Sequence, residues 1–447
     1  MLAAEPLQTW MDRQFALSAR RMAACVSATG LVKHRPGFGM TVVPAPGSVV
    51  ASAVLADYDP DPDYFFHWIR DSALVMDAAV RLAADRDETA DWALHLRDHV
   101  RFSLGLAGLR GRDVLEHGGP RAKARPDFLQ FVRPDDELAQ VEGDRIPGEV
   151  RFAPDGTLDT IHWGRPQHDG PALRALTLMR ADAAGFGGDG LEALLRADLN
   201  YTADNAGAAC IDLWEDATGR HYHTQIVQFA ALLRGAARIA AQDPATAARW
   251  RSAAAAIPPS LEACWNGTTR CYLSREAADP ASPSQPDIAV VIGVLHAALE
   301  GGRHSVLDER VAATLAELAR RFAADYAINA DLPDGHAPAL GRFRGDGYYS
   351  GGAYHFATLA AAEFHYRRSR IARSAEDARS ECAAGDAYMS TVRRFAREDG
   401  ALAEQFDQRT GEPSSAKDLG WSHAAFITAH VARRAGIGLR GQAGPLL

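Results

Sequence analysis

Between residues 306 and 328 the apolar side chains Val311, Leu315, Leu318 and Phe322 recur at steps of four, three and four, the spacing that gathers one face of an α-helix. That period, not the two-residue alternation of a strand, returns along nearly the whole chain. It is legible near 8–29, 70–85, 88–105, 171–184, 188–203, 244–256, 287–299, 352–371, 375–396 and 421–436, and again through Ile226, Phe229, Leu233 and Ala237. About a dozen helices follow from this reading, with little left for a sheet. Alanine is abundant in all of them and suits helices packed closely on one another.

The joins between these helices alternate in length. Some are very short, such as the "DRD" at 85–87, whereas 106–170, 204–220, 257–286, 329–351 and 397–420 are long and rich in Gly, Pro, Asp and Trp. Long loops inside a compact domain are usually functional. If the long loops all fall at one end of the helix pairs they surround a single pocket, as in an all-α (α/α)6 barrel. No Pro/Gly/Ser linker divides the chain, so residues 1–447 read as one domain.

Charge and cysteine content exclude several classes. The 48 basic and 57 acidic residues give a net charge of −9 with neither sign collected in a block, which is not the footprint of a nucleic-acid binder. No run approaches the ~18 apolar residues of a membrane span. Asp12, Arg13, Arg20 and Arg21 interrupt the stretch that a signal peptide would keep apolar, so the expectation is a cytoplasmic chain, or a secreted one whose signal has been removed. Five cysteines, Cys25, Cys210, Cys264, Cys271 and Cys382, argue against a disulfide framework, although Cys264 and Cys271 are near enough in sequence to close a small loop. The sequons at Asn200 and Asn266 matter only in a secreted chain.

Two short motifs carry no chemistry of their own. The "GFGGDG" at 185–190 matches a dinucleotide fingerprint but follows a helix where a strand is required, and reads as a helix end and a turn. His221 and His223 are two apart and point away from each other on a helix, so no metal site is expected, and nothing calls for a cofactor. The stretch "IDLWEDATGRHYHTQ" at 211–225 is different. Asp212, Glu215 and Asp216 crowd around Trp214 where a loop runs into a helix. Acids there can cap the helix and favour its dipole. Alternatively, an aromatic ring beside a carboxylate hinders solvation of its charged form, one recipe for a general acid.

The other long loops repeat this mixture of acids and aromatics. "DYFFHWIRDS" at 63–72 carries Tyr64, Trp68, Arg70 and Asp71; "IHWGRPQHDGPALR" at 161–174 carries Trp163, Arg165 and Asp169; "GRFRGDGYYSGGAYHF" at 341–356 carries Arg342, Asp346, Tyr348 and Tyr354; "AEQFDQRTGEPSSAKDLGWS" at 403–422 carries Glu404, Asp418 and Trp421. Flat aromatic faces cover the C–H surfaces of a sugar and planar charged groups fix its hydroxyls, so the mixture fits a carbohydrate better than an anion or a lipid.

In this order, with "WGRPQHDGPALRA", "DLWED", "GRFRGDGYYSGG" and "EQFDQRTGEPSSAKDLGWSHAAFITAH", the clusters resemble those of the glucoamylases, glycoside hydrolase family 15. The resemblance covers almost the whole chain, so residues 1–447 are expected to be one catalytic domain without a starch-binding module. It implies an (α/α)6 barrel and an exo-acting, inverting hydrolase that frees β-glucose from the non-reducing ends of α-glucans or malto-oligosaccharides. By motif, Glu215 is the general acid and Glu404 the general base; an inverting enzyme needs one of each, ~6.5–9.5 Å apart. The resemblance further implies that Arg70 and Asp71 grip the terminal glucose beside Trp68, and that Tyr64 lies near the reacting carbon and the water. Arg342 then reaches the first two subsites, Trp163 packs under the acid, and Leu213 and Trp214 add backbone and ring contacts. Ser415 supports the base and Trp421 closes the wall.

Three departures touch the region beyond the first subsite: Asp216 stands where many members have a glutamate, Tyr354 where the stacking residue is often tryptophan, and Ser350 where an asparagine follows the paired tyrosines. An α-1,6 or other α-glucoside preference, including trehalose, therefore stays open beside α-1,4. A phosphorylase and a non-catalytic sugar-binding protein are the rival readings, and a binding protein needs no acid–base pair.

Overall fold

The computed structural model describes residues 5–438. Twelve long helices run through them: α1 Leu7–Cys25, α2 Ile69–Ala84, α3 Trp92–Leu106, α4 Asp169–Ala183, α5 Leu191–Asp204, α6 Tyr222–Ile239, α7 Pro244–Ala255, α8 Ala289–Ala297, α9 Glu309–Asp325, α10 His355–Ile371, α11 Ala375–Phe395 and α12 Gly420–Gly438. Every stretch read as helical from its period holds one of them. Strands among the described residues are only two or three residues long and pair antiparallel.

Burial alternates along the sequence. Helices α2, α4, α8 and α10 are buried on nearly every side, whereas α3, α5, α7, α9 and α11 bury one face each. The one-sided helices obey the simple periodic rule: in α9, Val311, Leu315, Leu318 and Phe322 are all buried. Helix α6 does not obey it. The expected stripe leaves Leu233 39% exposed, and the buried apolar positions include Tyr222, Val227, Ala230, Ala231, Leu232, Ala236 and Ile239 beside Ile226. Small alanines let the packed face broaden, so the largest side chains no longer mark it.

Side chains cap several helix starts, and those of α3 and α9 set starts later than the period suggests. Asp91, Asp243, Asp308 and Ser374 accept backbone N–H groups of the first turns of α3, α7, α9 and α11. Helix α10 begins at His355, later than the period suggests, because Ala353–Tyr354 pairs with Gln405–Phe406.

The chain divides into two compact units interleaved in sequence. One gathers the chain up to Met22, Arg220–Ala230 and the chain from Ile257 onward; the other gathers Ala23–Gly219 and Ala231–Ala256. In the second unit α2 packs on α3 and α4, and α5 on α4, α3 and α7. Gly170 permits the close approach of α4 to α2, since a Cβ there would lie 2.9 Å from the Cβ of Ile69. The 106–170 loop supplies its own core of Leu138, Val141, Ile146, Phe152 and Leu158 against Ile69 and Phe102. In the first unit α10 packs on α8, α11 and α12. None of the five cysteines is in a disulfide, and burial raises Cys264 to about 12 and Cys271 to about 11.

Candidate active site

In the second unit the predicted residues meet at the starts of two packed helices. Trp68 lies opposite Arg151 in a short strand pair and leads directly into α2, which places Arg70 and Asp71 in the first turn of that helix. Asp169 opens α4. Arg70, buried, donates from Nη1 to Gln167 Oε1 at 2.7 Å and to Asp169 Oδ2 at 3.1 Å, and its Nε lies 3.7 Å from Asp71 Oδ2. Burial pushes the Asp71 carboxyl up to about 6; Arg70 pulls against this, while the negative charges of Glu215 and Asp169 add to it.

Glu215 sits in a hairpin loop between Cys210–Ile211 and Thr218–Gly219. Asp212 organises that loop: its Oδ1 accepts the backbone N–H groups of Asp216 and Ala217 at 2.8 and 2.9 Å, and its carbonyl accepts that of Glu215. Glu215 itself has φ +68, in the left-handed region that non-glycine residues seldom occupy. Four donors converge on its carboxyl. Trp68 Nε1, Arg70 Nη2 and Gln167 Nε2 donate to Oε1 at 2.8, 3.2 and 3.2 Å, and Trp163 Nε1 donates to Oε2 at 2.5 Å. Tyr64 packs beside Trp68 with ring centroids 5.3 Å apart. Leu213 and Trp214 are buried in the same turn, and Asp216 follows, exposed.

The first unit brings together the remaining residues. A three-stranded sheet orders Pro413–Ser414, Gln405–Phe406 and Ala353–Tyr354. Glu404 immediately precedes the middle strand, and the Ser415 hydroxyl donates a short hydrogen bond to its Oε2. Ser415, like Glu215, has a left-handed backbone, φ +60. Arg342 pairs with Asp346 through two parallel bonds of 2.7 and 2.6 Å, a planar fork that fixes the guanidinium. Tyr354 is 1% exposed. Its hydroxyl donates to Asp346 Oδ2 at 3.1 Å and accepts from Gln405 Nε2 at 2.7 Å. Ser350 donates to Gln405 Oε1 at 2.9 Å, so two of the three family departures, Tyr354 and Ser350, join one network. Trp421, in the first turn of α12, stacks flat on Phe356 at 4.3 Å.

Reading the sequence missed Gln167 and Gln405 as site residues, although both stand inside quoted motifs, and missed Arg151 and Asp159 altogether. Only the strand register that sets Arg151 opposite Trp68 signals Arg151, and that register is not visible in one sequence.

One carboxylate, Glu215, is braced among indole N–H groups and another, Glu404, on a serine, each within its own unit of a helical scaffold. The chain belongs to glycosyl hydrolase family 15: the family model, described as glycosyl hydrolases family 15, matches residues 38–104 and 148–431. It is 26% identical to a glucoamylase of Blastobotrys adeninivorans, over 91% of this chain and 70% of that protein, and 26% identical to glucoamylase 1 of Rhizopus oryzae, over 87% and 67%. Among solved structures it resembles the glucoamylase of Saccharomycopsis fibuligera, with TM-score 0.76 at 21% identity over 98% of this chain and 97% of that one. It also resembles the glucoamylase of Hormoconis resinae, with TM-score 0.74 at 24% identity over 96% and 74%. The fold is an all-α (α/α)6 barrel, as expected from the alternation of helices and long loops. The protein is a glycoside hydrolase, and no described helix is long and apolar enough to cross a membrane.

Proposed function

We propose that this glycoside hydrolase removes β-D-glucose from the non-reducing ends of α-glucans or malto-oligosaccharides with inversion, Glu215 acting as general acid and Glu404 as general base. The carrying observation is the convergence of four donors on Glu215. As the acid passes its proton to the glycosidic oxygen its carboxyl becomes negative, and donors already aimed at that charge lower the barrier without reorganising. Glu404, with Oε2 occupied by Ser415, takes a proton from the attacking water.

The rest of the site binds. Arg70 and Asp71 hold hydroxyls of the terminal glucose beside Trp68, Tyr64 lies near the reacting carbon and the water, and Trp163 packs under the acid. Arg342, fixed by Asp346, serves the first two subsites, and Leu213, Trp214 and Trp421 line the wall. Asp216 and Tyr354 set the environment of the second glucose, so the α-1,4 assignment rests on them. Residues 1–447 act as one catalytic domain on soluble oligosaccharides or glucan ends. The five unbridged cysteines favour the reducing cytoplasm, which fractionation of the source cells against a secreted marker checks.

Proton NMR of the purified protein with maltose, isomaltose and maltotetraose tests the reading. Initial β-glucose from the α-1,4 substrates, absent in Glu215→Gln, is expected. β-Glucose mainly from isomaltose would move the linkage and keep the mechanism. Initial α-glucose would overturn the inverting assignment.

A further inference from the structure

Arg151 lies outside every motif that the sequence singles out. Its side chain is buried, and its Nε donates to Asp159 Oδ2 at 2.8 Å. The guanidinium carbon stands 3.7 Å from the centroid of the Trp163 ring, 4.1 Å from Phe66 and 5.0 Å from Trp68. Trp163 and Trp68 are the two indoles whose N–H groups donate to Glu215, one to each oxygen. One cation therefore packs on both rings that hold the carboxyl.

The anchor behind it is an unbroken chain of ion pairs. Asp159 Oδ2 also accepts from Arg165 Nη2 at 3.0 Å; Arg165 Nε donates to Glu149 Oε2 at 2.7 Å, and Arg133 grips the same carboxylate through two bonds of 2.8 and 3.0 Å. Every member of this chain is nine-tenths buried or more by side-chain exposure. The cation on the indole faces is thus tied to the folded 133–165 loop, and its attraction to the rings strengthens where water is excluded.

We propose that Arg151 is a positioning residue for the general acid: by packing on Trp163 and Trp68 it fixes the indole N–H groups that aim the Glu215 carboxyl at the glycosidic oxygen. The proposal rests on the reading of Glu215 as the acid. A small misplacement of a catalytic group costs as much as ~100-fold in rate, and general acid catalysis as a whole contributes ~100- to 10,000-fold. Arg151→Met, which keeps length and apolar bulk, is expected to lower kcat on maltose by about 30-fold with KM within about 3-fold. Arg151→Lys keeps the charge but not the planar fork, and is expected to recover part of that loss.

The discriminating substrate is α-D-glucosyl fluoride, whose fluoride departs without a proton from the enzyme. Arg151→Met is expected to hydrolyse it within about 3-fold of the parent rate, because only the proton-dependent step has been disturbed. In a Trp163→Phe background, which already lacks one indole N–H on Glu215, the maltose penalty of Arg151→Met is expected to shrink. Equal losses on maltose and the fluoride, in Arg151→Met or in the milder Arg151→Lys where the methionine variant does not fold, would overturn the proposal. Glu215→Gln on the same two substrates separates the two readings. If it spares the fluoride and the Arg151 variants do not, the positioning role fails while the acid stands; if it loses both equally, the acid assignment itself fails.

Discussion

Asp71 is placed where its ionisation opposes the fold. Burial raises its carboxyl from 3.8 to about 6, against the pull of Arg70, with Glu215 and Asp169 adding to the rise. The folded chain therefore holds this proton at pH values where the unfolded chain has released it, and stability falls as pH rises from about 4 through 6. At about 1.4 kcal/mol for each tenfold change in proton affinity, that rise gives a full penalty of about 3 kcal/mol, present above pH ~6. The linkage relation puts it at about 0.5 kcal/mol at pH 4 and about 3 kcal/mol at pH 7.5. Asp71→Asn removes the titration and keeps the shape. Relative to the parent, the variant is expected to gain about 2.5 kcal/mol between pH 4 and 7.5. A chain of this length loses ~0.9 kcal/mol per degree near its midpoint, so the difference in Tm changes by about 3 °C. Thermal melts followed by tryptophan fluorescence of the two proteins at pH 4, 5, 6 and 7.5 measure it. A difference that stays flat, or runs the other way, would mean that the Arg70 pairing outweighs burial and that the reasoning is wrong.

Two further perturbations probe the proposed base and the scaffold. Ser415→Ala removes the hydroxyl donor to Glu404; a bond to a charged group is worth ~1.5–3 kcal/mol, so kcat on maltose should fall by at least about 10-fold with little change in KM, and an unchanged kcat would detach Ser415 from the base. Arg174 holds Asp198 through two bonds of 2.8 and 2.7 Å between α4 and α5. Arg174→Leu leaves a buried carboxylate unpaired and should cost ~3–5 kcal/mol, whereas Arg174→Leu with Asp198→Leu should restore most of it; calorimetry of the two variants checks the contrast.

How much of the fold and site is legible in the sequence depends on how local each cause is. Helix positions follow from the period of nearby side chains, and all twelve long helices lie where that period places them. The buried face of α6 does not, because Ala230, Ala231 and Ala236 pack where the period looks for larger residues. The strand that delays α10 depends on Gln405 and Phe406, some fifty residues further along, and no local pattern announces it. Arg151 is the extreme case. Its neighbours Trp68 and Asp159 come from two different stretches, and its role exists only once the register of a two-residue strand pair has been fixed.

The acidic stretch around Trp214 shows why local reading stops where it does. Capping and catalysis compete as explanations of the same three carboxylates, and the hydrogen bonds give the capping to one of them. Asp212 does the capping, but of its own hairpin loop: the helix begins only at Tyr222. By tying the N–H groups of Asp216 and Ala217 it holds the intervening Glu215 at φ +68, a conformation that costs ~1–3 kcal/mol and persists only where surrounding bonds enforce it. The indoles that meet Glu215 are then Trp68 and Trp163, from loops about 150 and 50 residues away in sequence, with the adjacent Trp214 buried in the turn. An acid next to a tryptophan in sequence is thus a sound pointer to the site, although the rings hydrogen-bonded to its carboxyl come from elsewhere in the chain. The capping acid makes that possible, because its turn carries Glu215 to those rings.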